Sequence, residues 1–274
     1  MKVTSRAKIN LTLHVGRVIE DPHDAFFGYH PIDSLVAFAD IGDIIGMQSA
    51  TETVLKISGP YAKGLTAADD NLILRAASAA KVPPHTITLD KRLPVAAGIG
   101  GGSANAAAIL RFCSIDDPSI AIGLGADVPV CLLSKTAHMT GIGEDVRPLP
   151  NLGTLYAVLV NPGVAVSTAA IFKAFDSAHD IRETPHPMKP EGDLLSRALD
   201  GRNDLESIAL SQAPIIGQVL RSLSAQEGCQ LARMSGSGAT CFGIYESLSA
   251  AQKAQSVIKA KMPNWWCVAT ILGD

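Results

Sequence analysis

Four glycines in five positions, Gly98 and Gly100–Gly102 around Ile99, run directly into the alanine-rich stretch Ser103–Phe112, and this junction constrains the chain more than any other feature. Residues without a Cβ leave backbone amides exposed. A helix starting there adds its own unpaired amides and the positive end of its dipole, so a polyphosphate at that point is doubly favoured. With the alternating strand Thr86-Ile87-Thr88-Leu89 ahead of it, the order is strand, glycine loop, helix. The plain alternative is a mobile linker, but a linker rarely leads straight into an alanine-rich helix. Two other phosphate loops fail the test of spacing. A P-loop needs lysine and then Ser/Thr after its last glycine, whereas Gly102 is followed by Ser103 and Ala104. A dinucleotide fingerprint needs a glycine where Ser103 stands and a strand ending just before Gly98, whereas Pro94-Val95-Ala96-Ala97 precedes it.

The 274 residues suit two compact domains with a cleft between them, and the change of domain is expected near residue 152. At 47% hydrophobic and 18% charged the chain has material for buried cores and too little charge for disorder. A net charge of −3 without a long basic run argues against nucleic acid and for small-molecule ligands. The five cysteines, Cys113, Cys131, Cys229, Cys241 and Cys267, form no C-x-x-C pair, which fits a reducing cytoplasm and excludes a zinc knuckle or redox dithiol. No signal-peptide core and no bilayer-length apolar run is present, so no membrane role is expected.

Ile9, Leu11, Leu13 and Val15 alternate with Lys8, Asn10, Thr12 and His14, predicting a strand with one buried face and Lys8 and Asn10 together on the other, polar face. A loop over Asp21–Pro31 and a strand over Leu35–Met47 follow. Asp69-Asp70-Asn71 can cap a helix over Leu72–Ala80. The second half reads as a buried strand at Leu155–Val160, helices at Thr168–Ala178, Asp204–Leu210, Ile215–Gln226 and Leu248–Met262, a glycine-interrupted strand around Gly236–Tyr245 and a last strand at Trp265–Leu272. The pattern is α+β without internal repeats.

The string Pro-x-x-x-Gly-Ile-Gly-Gly-Gly-Ser from Pro94 to Ser103 resembles the phosphate-binding motif of the GHMP kinases. Further stretches are similar to the diphosphocytidyl-methylerythritol kinases within that superfamily: Ala7-Lys8-Ile9-Asn10-Leu11, Gly28-Tyr29-His30, Asp70-Asn71-Leu72, Asp90-Lys91-Arg92-Leu93-Pro94, Gly125-Ala126-Asp127-Val128-Pro129 and Ser235-Gly236-Ser237-Gly238-Ala239. Three departures stand beside them. Ala104 replaces the usual second serine, a longer proline-containing loop follows Arg17-Val18-Ile19-Glu20, and Cys113–Leu124 is short where the family fits another helix.

The resemblance implies a two-domain GHMP kinase fold. An N-terminal lobe like ribosomal protein S5 domain 2 would span residues 1–152, a ferredoxin-like C-terminal lobe 153–274, and the active site would lie in the cleft. It implies ATP as phosphoryl donor; magnesium is expected because ATP phosphates normally travel with it, no protein-only metal cage is visible in the sequence, and a monomer or weak homodimer is expected. The implied reaction is phosphorylation of the 2-hydroxyl of 4-diphosphocytidyl-2-C-methyl-D-erythritol in non-mevalonate isoprenoid synthesis. Asp127 would be the base and Lys8 its partner, roles that suit phosphoryl transfer, which asks mainly for positioning and charge compensation. Without the flanking motifs, Lys8 reads as a solvated strand lysine and Asp127 as a loop cap. ATP contacts would come from Asn71, Leu72, Lys91, Pro94, Val95, Ala96, Ala97, Gly98, Ile99, Gly100, Gly101, Gly102, Ser103, Ala104 and Asn105. The substrate would meet Asn10, Tyr29, His30, Thr168, Phe172, Gly236 and Ser237, with aromatic rings on the cytosine. Structural readings compete at several positions: a helix cap for Asn71 and Thr168, core for Leu72 and Phe172, a solvated strand end for Lys91, a turn for His30, close backbone packing for Gly236–Gly238. Two rival functions stay open from sequence: another GHMP kinase acting on mevalonate, homoserine or a sugar, and a nucleotide-binding sensor without catalysis.

Overall fold

The structure is a computed structural model that describes residues 2–68, 70–177, 182–189 and 191–274. Asp69, expected in a helix cap, and Ala178, the expected end of a helix, lie outside the described residues. The first half runs β1 (Lys2–Asn10), β2 (His14–Val15), β3 (Ile32–Ser49), β4 (Val54–Ser58), α1 (Leu72–Ala79), β5 (His85–Asp90), α2 (Gly101–Phe112), α3 (Pro118–Leu124), α4 (Val128–Leu133), β6 (Ala137–Thr140) and β7 (Asp145–Pro148). The second half runs β8 (Leu155–Asn161), α5 (Thr168–Asp176), α6 (Leu194–Asp200), α7 (Glu206–Gln212), α8 (Ile215–Ser224), β9 (Cys229–Met234), β10 (Cys241–Tyr245), α9 (Leu248–Lys261) and β11 (Trp266–Gly273).

One sheet passes through both halves in the order β4-β5-β3-β11-β8-β10-β9, with β1, β2 and β6 also paired to β3. The last strand makes the link: β11 pairs with β8 along its length and reaches β3 at Leu272↔Ala39. Period-two alternation divides the strands between cores. On β3, Val36 and Phe38 enter a core shared with α1 and α2, while Leu35, Ala37 and Ala39 enter a second core on the opposite face. On β8, Leu155, Ala157 and Leu159 join that second core, while Val158 and Val160 enter a third under α8 and α9. Both faces of these strands are covered, which is why they read as continuous apolar runs.

Several expectations change. The strand expected over Ile9–Val15 stops at Asn10 and resumes only at His14, and its polar face is not solvated, because Lys8, Asn10, Thr12 and His14 are all buried. The helix expected from Ser103 starts at Gly101, so the last two glycines form its first turn. The strand expected around Gly236–Tyr245 is a turn followed by β10, since Gly236 and Gly238 at positive φ reverse the chain between β9 and β10. The short stretch before Gly125 still holds a helix, α3, whose Asp117 side chain accepts from the Ser119 amide.

Candidate active site

Lys8 owes its direction to an irregularity in β1. The pairing of β1 with β3 shifts register between Arg6 and Lys8, and the Lys8 amide leaves the sheet to donate to the Ile99 carbonyl at 3.0 Å. A bulge of this kind re-aims the side chain that follows. The Lys8 ammonium then donates to Asp127 Oδ1 at 2.6 Å, with the lysine buried and the carboxylate 36% exposed to the cleft. Asp127 sits at the start of α4 yet makes no capping hydrogen bond, so its carboxylate is committed to Lys8 and the cleft rather than to the helix.

Helix α2 opens into the same space. Its N-cap is Gly100 at φ +62°, without a side-chain cap and without an acidic residue in the first turn, so its leading amides are left for an anion. The loop before it is anchored from below by Leu93, Ala97 and Ile99 in the second core, while Val95 and Ala96 stay exposed. Asp43, fully buried on β3, ties the assembly together. It accepts from the Arg92 and Leu93 amides at 2.8 Å each, from Lys91 Nζ at 2.6 Å and from Asn105 Nδ2 at 3.0 Å. Lys91 is therefore no solvated strand end. Burial lowers its basicity and the Asp43 charge opposes that shift. Behind the loop, burial, and then the Asp127 charge, push the Cys131 thiol up to about 12.

The second glycine loop packs on the first, backbone to backbone. A Cβ on Gly98 would stand 2.5 Å from the Ser235 carbonyl oxygen, and one on Gly236 would stand 2.8 Å from that of Gly98. Ser235 Oγ donates to the Gly98 carbonyl and accepts from the Asn10 amide, at 3.0 and 3.1 Å. Ser237 Oγ pairs with Thr168 Oγ1 at 2.8 Å. Thr168 is thus not a helix cap; Ser167 caps α5 instead. At the far end of the cleft, the His30 ring lies 4.9 Å from that of Phe172, its Nδ1 donates to the Gly16 carbonyl at 3.0 Å, and its Nε2 faces Asp176 at 3.4 Å. Tyr29 beside it is 52% exposed.

One cleft of about 970 Å³ joins these groups, at the upper end of roughly 300–1,000 Å³ for small-ligand sites. Every residue expected at the site lines it except Ala104, which is turned into the core beside α1. Asn71 lines it too, but its amide is occupied, capping Ile73 and donating to the Thr66 carbonyl.

The family GHMP kinases N terminal domain matches residues 70–115, and the family GHMP kinases C terminal matches 188–264. A 4-diphosphocytidyl-2-C-methyl-D-erythritol kinase of Paracoccus denitrificans is 48% identical over 96% of this chain and 94% of its own. One of Roseobacter denitrificans is 43% identical over 100% of this chain and 94% of its own. The chain belongs to the 4-diphosphocytidyl-2-C-methyl-D-erythritol kinase family. A crystal structure of a 4-(cytidine 5'-diphospho)-2C-methyl-D-erythritol kinase superposes with a TM-score of 0.80 at 32% identity, covering 100% of both chains. The α+β GHMP kinase fold expected from sequence is therefore the fold of this kinase.

Sequence reasoning missed Asp43, Ser34, Lys173 and Asp176 around the cleft of this kinase. Asp43 carried a signal, being with Asp40 one of two carboxylates inside the apolar run Leu35–Met47. Lys173 and Asp176 follow Phe172 on α5 and carried none. Among the described residues no group of three His, Cys, Asp or Glu could hold a metal ion, and no helix is long and apolar enough to cross a membrane.

Proposed function

We propose that this protein transfers the γ-phosphate of ATP to the 2-hydroxyl of 4-diphosphocytidyl-2-C-methyl-D-erythritol in non-mevalonate isoprenoid synthesis, with Asp127 as the base. The observation that carries the reading is the Lys8–Asp127 pair, which faces the uncapped start of α2 within one cleft. The hydroxyl proton passes to the Asp127 carboxylate, the freed oxygen forms a bond to the γ-phosphorus, and the bond from that phosphorus to the β-bridging oxygen breaks, releasing ADP. Lys8 holds the carboxylate in place and offsets charge beside it. The amides of Gly101–Ser103 and the loop before them receive the phosphates, an arrangement supported by the missing cap. Asn71, Leu72 and Lys91 border the nucleoside of ATP. Tyr29, His30 and Phe172 take the cytosine, and Asn10, Thr168, Gly236 and Ser237 take the rest of the alcohol. Magnesium travels with the ATP phosphates, since such ions keep mostly water and phosphate ligands. The setting is cytoplasmic, the protein a monomer or weak homodimer, and residues 1–152 and 153–274 its two functional lobes.

Asp127→Asn tests the role of the base. The amide keeps the shape and cannot take the proton, so kcat falls by about 10²–10⁴-fold while ATP binding measured by calorimetry changes little. Undiminished kcat in the variant would remove Asp127 from the chemistry.

A further inference from the structure

Ser34 lies fully buried on β3 and has one proton to give. Its Oγ is 2.6 Å from the Thr12 carbonyl oxygen, a group that can only accept, so the proton is used there. Toward its other neighbour, the Asn10 amide at 2.8 Å, Ser34 Oγ can then only accept, and Asn10 must present its NH2. The amide oxygen of Asn10 is thereby turned the other way, where it is buried and has no hydrogen-bond partner in the protein. A buried oxygen of that kind calls for a donor. It lies 3.4 Å from the point a Cβ on Gly236 would occupy, on the side of the second glycine loop. Asn10 is two residues from Lys8 on the same face of β1, and both line the cleft.

We propose that Ser34 is a positioning residue for the alcohol substrate: it locks the Asn10 amide so that the oxygen accepts a hydrogen bond from a free hydroxyl neighbouring the one that is phosphorylated. The proposal rests on the reaction assigned above. The reacting hydroxyl gives its proton to Asp127, so a different donor must satisfy Asn10. The erythritol moiety has two, the hydroxyls at its first and third carbons. With alanine in place of Ser34 the amide is free to rotate and present NH2, which a hydroxyl can meet only as an acceptor.

Steady-state kinetics with both substrates varied supply the test. Ser34→Ala raises KM for the diphosphocytidyl alcohol about tenfold, the loss of roughly one hydrogen bond, with KM for ATP within about twofold of the parent. Ser34→Thr, which retains the hydroxyl, recovers most of that loss. On the unaltered protein, an analogue lacking the hydroxyl at the first or the third carbon loses about the same factor, and on Ser34→Ala it loses nothing more. The analogue arm needs no variant to fold. Equal shifts in both KM values, or deoxy analogues used as well as the parent by the unaltered protein, would overturn the proposal while leaving the reaction intact. An unaltered protein inactive on the parent alcohol overturns the reaction, and the proposal with it.

Discussion

At the level of single residues, burial decides what each polar group can do. Asp127 and Lys8 look ordinary in isolation, and only the bulge that turns Lys8 out of the sheet brings them to 2.6 Å. Phe172 is packed against His30 rather than hidden in its helix, and it lines the cleft. If it stacks on the cytosine, Phe172→Ala raises KM for the diphosphocytidyl alcohol about tenfold or more and leaves KM for ATP unchanged in the same assay. An equal rise in both would place the ring elsewhere in the mechanism. His14 is a different case, buried with Nδ1 unpartnered. Burial lowers its basicity below the ordinary 6.5, with the Asp204 charge opposing. The unfolded chain therefore takes up a proton that the fold refuses, and stability falls as pH drops below the ordinary imidazole value. Urea midpoints measured between pH 7 and 5 should decline less steeply in His14→Gln than in the parent.

At the level of elements, the site is a contact between two glycine loops, each shaped by the other. Gly98 has φ +71° and a Cβ there would meet the Ser235 and Gly238 carbonyl oxygens at 2.5 and 2.7 Å. Gly28 has φ +81° and open space around it. Gly28→Ala should therefore cost only the backbone strain, about 1–2 kcal/mol, while Gly98→Ala costs more because backbone must also move. Urea unfolding of both variants checks the order, and equal losses would contradict the packing. The glycine loop and its helix were legible in sequence because exposed amides and an alanine-rich run follow local rules. The partition of Gly236–Tyr245 into a turn and β10 was not, because it depends on Gly98 pressing against that turn from 138 residues away along the chain. For the same reason Thr168 read as a cap: its partner, Ser237, is distant in sequence.

At the level of the whole molecule, the two halves share one sheet, and the cleft lies where β1, the glycine loop before α2 and the loop before β10 converge. Local pattern revealed most of the helices and the longer strands. It missed short β4, β6, β7 and β9, and the short helices α3, α4 and α6, whose stability comes from their neighbours rather than from their own periodicity. The residues facing the cleft were legible mainly through motif resemblance. Asp43 and Ser34 escaped because they orient other residues from beneath the surface.

A cleft with the Lys8–Asp127 pair facing the uncapped start of α2 and aromatic rings at its far end should select an alcohol that carries a base. ATP consumption by the purified protein, measured side by side with 4-diphosphocytidyl-2-C-methyl-D-erythritol, mevalonate and homoserine, tests it most directly. Turnover is expected with the diphosphocytidyl alcohol alone. Turnover with mevalonate or homoserine at a comparable rate, or tight ATP binding without turnover on any of the three, would contradict it.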